Sequence, residues 1–141
     1  MTPKIPNPAM LDLARRLLDY ESARTGPQEG ASAVFQVGEK LRRPLSGLAG
    51  TAGFRSLVAR ALTLAKANVP ALSGVQINPD GSLDGFSALG DRGQAAEAAV
   101  MLIAQLLALL VVFIGEGLVL NLVLDVWPDL PVSEHRTLEK K

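Results

Sequence analysis

The most apolar stretch of the chain extends from Ala98 to Trp127 and reads AAVMLIAQLLALLVVFIGEGLVLNLVLDVW. Its only polar side chains are Gln105, Glu116, Asn121 and Asp125. A helix that is apolar on every side has to be covered by protein or by lipid. The pattern therefore predicts a long, hidden C-terminal helix around which the rest of the fold is organised.

Glu116 lies between two glycines, which divide this apolar stretch. Each glycine weakens a helix by about 1 kcal/mol relative to alanine, and the polar side of the helix changes at the same point. We therefore expect a bend, or a change of packing partner, at Gly115-Glu116-Gly117. A charge buried without a partner is expensive, so Glu116 is predicted to accept hydrogen bonds from an arginine or a backbone end. The available cations are Arg42, Arg43, Arg55 and Arg60.

Three amphipathic helices precede the apolar stretch. The first is predicted from Pro8 to about Arg24, with Asn7 as its N-cap. The second is predicted over residues 32–43, where the Arg43-Pro44 step should stop or kink it. The third runs over residues 54–68 and shows the clearest apolar face.

Glycine recurs at every third position in the segment PLSGLAGTAG, residues 44–53. A phosphate-binding loop is one interpretation, but no strand precedes this segment and no Lys-Ser/Thr pair closes it. We favour a helix joint whose small side chains let another backbone approach closely. Farther along, Asn-Pro-Asp-Gly supplies a turn, which predicts a small β-hairpin near residues 74–84 with strands near 74–77 and 82–84.

These elements predict a mainly α fold: a bundle of about four helices around a central, nearly all-apolar C-terminal helix, with one small hairpin. Residues 1–130 form a single helical domain, and residues 131–141 form a polar C-terminal tail. The proline-rich N-terminus lacks the apolar core of a signal peptide, so no cleaved signal is expected.

The apolar helix could be covered by lipid or by protein. Residues 98–115 are long enough to span a bilayer, and most cations precede them, which would keep the N-terminal region on the cytoplasmic side. Against a span, the segment is bracketed by Glu97 and Glu116, and apolar residues continue beyond Glu116. We favour a helix buried in protein and keep a single-pass membrane protein as the alternative.

Charge is unevenly distributed although the net charge is zero. Residues 36–70 carry +5, whereas residues 71–130 carry −6. We expect the two regions to balance each other within the fold or across subunits. A nucleic-acid surface is disfavoured, because the basic region has only Phe54 as a nearby aromatic residue.

Catalytic chemistry has little support in the sequence. There is no cysteine, and the only histidine, His135, lies in the polar tail. We expect no enzyme, no cofactor and no metal site. A small-ligand sensor with a pocket formed by Glu116 and an arginine remains an alternative.

Association with a protein partner or with further copies of the chain is the leading functional hypothesis. A chain of this length with an all-apolar helix and three amphipathic helices has an excess of apolar surface, which association would cover. We expect a bacterial-type cytoplasmic protein, or an inner-membrane protein in the membrane alternative. The interface candidates are Leu118, Leu122 and Trp127.

Overall fold

The computed structural model describes residues 8–25, 30–78, 83–84 and 92–128. Four helices account for most of this chain, which confirms a mainly α bundle. Helix α3 lies at the centre and contacts the other three helices. In chain order the elements are α1 (Pro8–Thr25), α2 (Gly30–Asn68), a short 3-10 helix (Pro70–Gly74), β1 (Gln76–Ile77), β2 (Leu83–Asp84), α3 (Arg92–Ile114) and α4 (Glu116–Val126).

Helix α1 begins at Pro8, as predicted, because proline is well suited to the first helical position. Its buried positions recur at spacings of three and four and form one continuous face. The predicted N-cap, Asn7, lies outside the described residues. The buried residues of α1 are Met10, Leu13, Ala14, Leu17, Leu18 and Glu21.

Helix α2 passes through Pro44 and breaks at Gly50, so the helix does not stop at the Arg43-Pro44 step as one form of the prediction had it. Proline removes one backbone N–H from the helix. Buried Leu41 and Leu45 on either side of it hold the chain against the core. At Gly50 the backbone adopts φ 80° and ψ 164°, a conformation almost restricted to glycine. The predicted joint therefore exists, but as a single-residue break between two helical segments.

The close approach expected at the glycine-rich segment occurs between residues of that segment itself. A Cβ atom added to Gly53 would lie 2.8 Å from Cβ of Ala49, across the break. A Cβ added to Gly47 or Gly50 would have no described atom within 4 Å. The small residues therefore permit the break in α2, and the surface around Gly47 is open.

The predicted β-hairpin is confirmed. Strands β1 and β2 pair antiparallel, with Gln76 opposite Asp84 and Ile77 opposite Leu83. Val75, directly before β1, is completely buried and fixes the hairpin to the helical core. A 3-10 helix, which the pattern of residues did not predict, leads into the first strand.

The predicted break in the C-terminal apolar stretch is also confirmed. Gly115 separates α3 from α4 with φ 96° and ψ 151°, again in the region that glycine alone adopts readily. Its N–H donates to the carbonyl of Val111 at 2.8 Å, and its own carbonyl accepts from the N–H of Val119 at 3.1 Å. Both helix ends at the break therefore keep a hydrogen-bonded partner.

Helix α3 supplies the largest share of the core. Nearly every side chain from Ala98 to Leu107 is buried, including the amide of Gln105. The segment Glu97–Ile114 is long and apolar enough to span a membrane, and 56% of its residues are buried inside the fold. Apart from Glu97 at its start, the exposed residues of this segment are Val112 and Phe113 near its C-terminal end. The tail, residues 131–141, lies outside the described residues.

Candidate functional site

A buried polar cluster joins α1, α2 and the end of α4. The carboxylate of Glu21 is at its centre, and the residue is only 2% exposed. The indole Nε1 of Trp127 donates to Glu21 Oε2 at 2.7 Å. The ammonium group of Lys40 donates to the same oxygen at 2.6 Å. A buried carboxylate is stabilised by such charge-assisted hydrogen bonds, so this cluster ties three helices together.

Trp127 was expected to be an interface anchor, and that prediction is wrong because the residue is 1% exposed. It follows directly after α4, and its backbone N–H donates to the carbonyl of Val123 at 2.8 Å. Val119, Val123 and Trp127 are spaced by four residues, so they share the buried face of α4. The indole is therefore committed to the fold of its own chain.

Sequence reasoning missed Glu21, although a signal for it was present. Glu21 follows Leu17 by four residues, which places its side chain on the buried stripe of α1. A carboxylate on an otherwise apolar stripe has to find donors. The sequence gives no indication that one of those donors would come from Trp127, 106 residues later.

Glu116, predicted to be a buried polar centre, is exposed in the first turn of α4. The backbone at Gly115 turns α4 so that Val119 and Val123 point inward while Glu116 faces solvent. Its carboxylate lies at a helix N-terminus, where the helix dipole favours negative charge. No arginine pairs with it in the part of the chain that the structure describes.

None of the four candidate arginines forms an ion pair with Glu116 among the described residues. Arg42 forms an ion pair with Glu39 one turn earlier in α2. The Nε of Arg55 donates to the carbonyl of Asn78 at 3.2 Å, which ties α2 to the end of β1. Arg43 and Arg60 are exposed on α2. The predicted Glu116–arginine centre is therefore not assembled among these residues.

Exposed apolar side chains gather where α3 meets α4. Val112 is 84% exposed, Phe113 59% and Leu118 57%. We call these three residues the α3–α4 elbow. Leu118 is thus on the surface, as its predicted interface role requires, whereas Leu122 is partly buried against the core. Of the three interface candidates, only Leu118 presents most of its side chain to solvent.

A second exposed surface surrounds the break in α2. Leu48 is 60% exposed, and the residues around it are small and, apart from half-buried Ala49, also exposed. We call this surface the α2 shelf. Its residues are Gly47, Leu48, Gly50, Thr51 and Ala52.

Opposite charges flank the two surfaces. Arg43 and Arg55 are exposed on either side of the α2 shelf, and Glu116 is exposed between Phe113 and Leu118 of the α3–α4 elbow. Asp125 is also exposed, farther along α4. None of these four forms an ion pair with another residue in the described ranges, whereas Asp12 pairs with Arg16 on α1 and Arg15 pairs with Glu97 across to α3.

Within the described parts of the chain, no group of three or more histidine, cysteine, aspartate or glutamate side chains is placed to hold a metal ion. Comparison with known proteins found no matching family model, no matching curated protein and no matching solved structure.

Proposed function

We propose that this chain functions by association with a protein surface, and that the α3–α4 elbow is the surface it uses. The observation that carries the proposal is the exposure of three large apolar side chains within seven consecutive residues. Single exposed apolar residues are common on soluble proteins, but clustered ones mark interaction sites. The proposed role is that of an assembly subunit, adaptor or regulatory partner without catalytic activity.

The location of the elbow supports this role. Gly115 fixes the direction in which α4 leaves α3, and the buried face of α4 is held by Val119 and Val123. The Trp127–Glu21 hydrogen bond secures the other end of α4. The apolar side chains of the elbow are therefore presented on a supported scaffold, which lowers the entropy lost when a partner binds.

A photoreactive phenylalanine analogue at position 113 tests the proposal in the native cells of this protein. A matched control carries the same analogue at Thr63, an exposed position on α2 outside both named surfaces. The proposal expects a discrete adduct from position 113 and none from position 63. The absence of an adduct at 113, or equal labelling at both positions, would overturn it.

A membrane is the second candidate partner, because Glu97–Ile114 is long and apolar enough to span a bilayer. The packing of α3 against three other helices favours a protein partner, since inserting α3 into lipid would require these contacts to open. Flotation with phospholipid vesicles distinguishes the two candidates. The association proposal expects the purified chain to remain in the vesicle-free fraction, and flotation of most of the protein would favour the membrane.

A further inference from the structure

We infer that the partner of the α3–α4 elbow is a second copy of this chain, which offers its α2 shelf. This inference rests on the proposed association and names the surface that is bound. Both halves of the contact are present in one molecule. The elbow projects large apolar side chains, and the shelf is an exposed, small-residue surface with one apolar side chain, Leu48.

The elbow and the shelf are complementary in shape. Phe113 and Val112 protrude from the C-terminal end of α3, with most of their surface in solvent. On the shelf, a Cβ atom at Gly47 or Gly50 would have no atom of the described residues within 4 Å. Small residues let another element approach a helix backbone closely. The protruding residues of one copy can therefore pack onto the backbone of α2 in the next, beside Leu48.

The elbow and the borders of the shelf also carry opposite charges. Arg43 is one helical turn before Gly47, and Arg55 is one turn after Thr51, so exposed cations border the shelf on both sides. Glu116 lies between the apolar residues of the elbow. When the elbow of one copy sits on the shelf of another, Glu116 faces a basic border. Such complementarity fixes orientation and speeds encounter, and salt weakens it.

The inferred contact joins two different surfaces. Each copy therefore carries one elbow and one shelf. The contact either repeats from copy to copy, or it closes when the elbow of each of two copies binds the shelf of the other. In either case, a copy that lacks a working shelf can still offer its elbow, and a copy that lacks a working elbow can still offer its shelf. This property makes the inference testable by complementation.

The test uses light scattering on the purified full chain over a range of concentrations. The expected result is an average mass that rises from the 14.9 kDa of a single chain toward multiples of it. Raising the salt from about 0.05 M to about 0.5 M should weaken the assembly by screening the charged borders. A wild-type chain that stays at the mass of one copy at every concentration overturns the inference.

Two variants locate the contact. Gly47→Gln adds bulk to the shelf at a helical position where a new Cβ meets no described atom, so the fold should be retained. Gly38→Gln is the control, because Gly38 lies in the same helix outside the shelf and a Cβ added there also meets no described atom within 4 Å, although Gly38 itself is half-buried. Gly47→Gln should remain at the mass of one chain, and Gly38→Gln should assemble as the wild type does. Equal assembly by both variants would overturn the role of the shelf.

Complementation is the decisive arm. A double variant, Phe113→Ser with Leu118→Ser, replaces the two largest apolar side chains of the elbow and leaves the shelf intact. This variant and Gly47→Gln should each remain at the mass of one chain, whereas an equal mixture of the two should reach twice that mass. A mixture that stays at the mass of one chain contradicts the pairing of elbow with shelf. Circular dichroism on each variant verifies that its helices are formed.

The inference and the proposed function fail in different ways. An adduct from position 113 whose mass is not a multiple of this chain, together with a purified chain that never assembles, would refute the second copy and keep the association. The absence of any adduct together with the absence of assembly would refute both.

Discussion

The indole Nε1 of Trp127 lies 2.7 Å from Oε2 of Glu21, a residue near the end of the first helix. Both residues are almost completely buried. Lys40 donates to the same carboxylate oxygen from α2. The last helix is therefore attached to the first two through one carboxylate, in addition to its apolar packing on α3.

Replacing Trp127 with phenylalanine removes the indole donor while keeping an aromatic ring. We expect the free energy of unfolding to fall by about 1–3 kcal/mol, because the buried carboxylate loses a hydrogen bond. Urea unfolding followed by circular dichroism measures the change. Lys40→Met is a second variant and should also lower the free energy of unfolding, by about 1–3 kcal/mol, because it leaves a carboxylate that is only 2% exposed without its charged donor. Equal stability of Trp127→Phe and the wild type would contradict the structural role of the cluster.

The two carboxylates Glu21 and Glu116 should respond differently to the same substitution. Glu21→Gln removes the charge from a buried acceptor of two hydrogen bonds and should lower the free energy of unfolding by about 1–3 kcal/mol. Glu116→Gln removes only a favourable interaction with the N-terminus of α4, about 0.3–1 kcal/mol. Thermal unfolding of both variants measures which substitution destabilises the fold more. A larger loss from Glu116→Gln would show that Glu116 has a buried partner after all.

The two helix breaks depend on glycine. Gly50→Ala and Gly115→Ala should each lower the free energy of unfolding by about 1–3 kcal/mol, because φ values of 80° and 96° are strained for any residue with a Cβ. Gly47→Ala is the control and should raise stability by about 0.5–1 kcal/mol, because Gly47 is helical and faces open space. Chemical denaturation of the three variants tests this. Stabilisation by Gly115→Ala would mean that α3 and α4 prefer to join as one straight helix.

Much of the fold follows from local patterns in the sequence. Spacings of three and four residues identified α1 and the apolar C-terminal stretch, and Asn-Pro-Asp-Gly identified the hairpin. The break at Gly115 was predicted from two nearby glycines at the point where the polar side of the helix changes. In each of these cases, the determining interactions lie within a few residues along the chain.

The rest depends on interactions between distant residues. Pro44 stays within α2 because buried residues on both sides of it hold the helix against the core, which residue preferences alone do not reveal. The face of α4 that turns inward depends on the backbone angles at Gly115. The sequence predicts a change of packing at that residue, but it does not show which side chains turn inward. Glu116 is exposed and Trp127 is buried as a result. The partners of Glu21 depend on how three helices meet, and no local pattern specifies that.

Amide hydrogen exchange at low and high protein concentration measures the proposed self-association at the elbow and the shelf themselves. Exchange near a helix break depends on local opening, which a bound partner suppresses. We expect peptides covering residues 111–119 and 44–52 to become more protected as concentration rises, while residues 98–107 in the core do not change. Identical exchange of all three segments at both concentrations would contradict it.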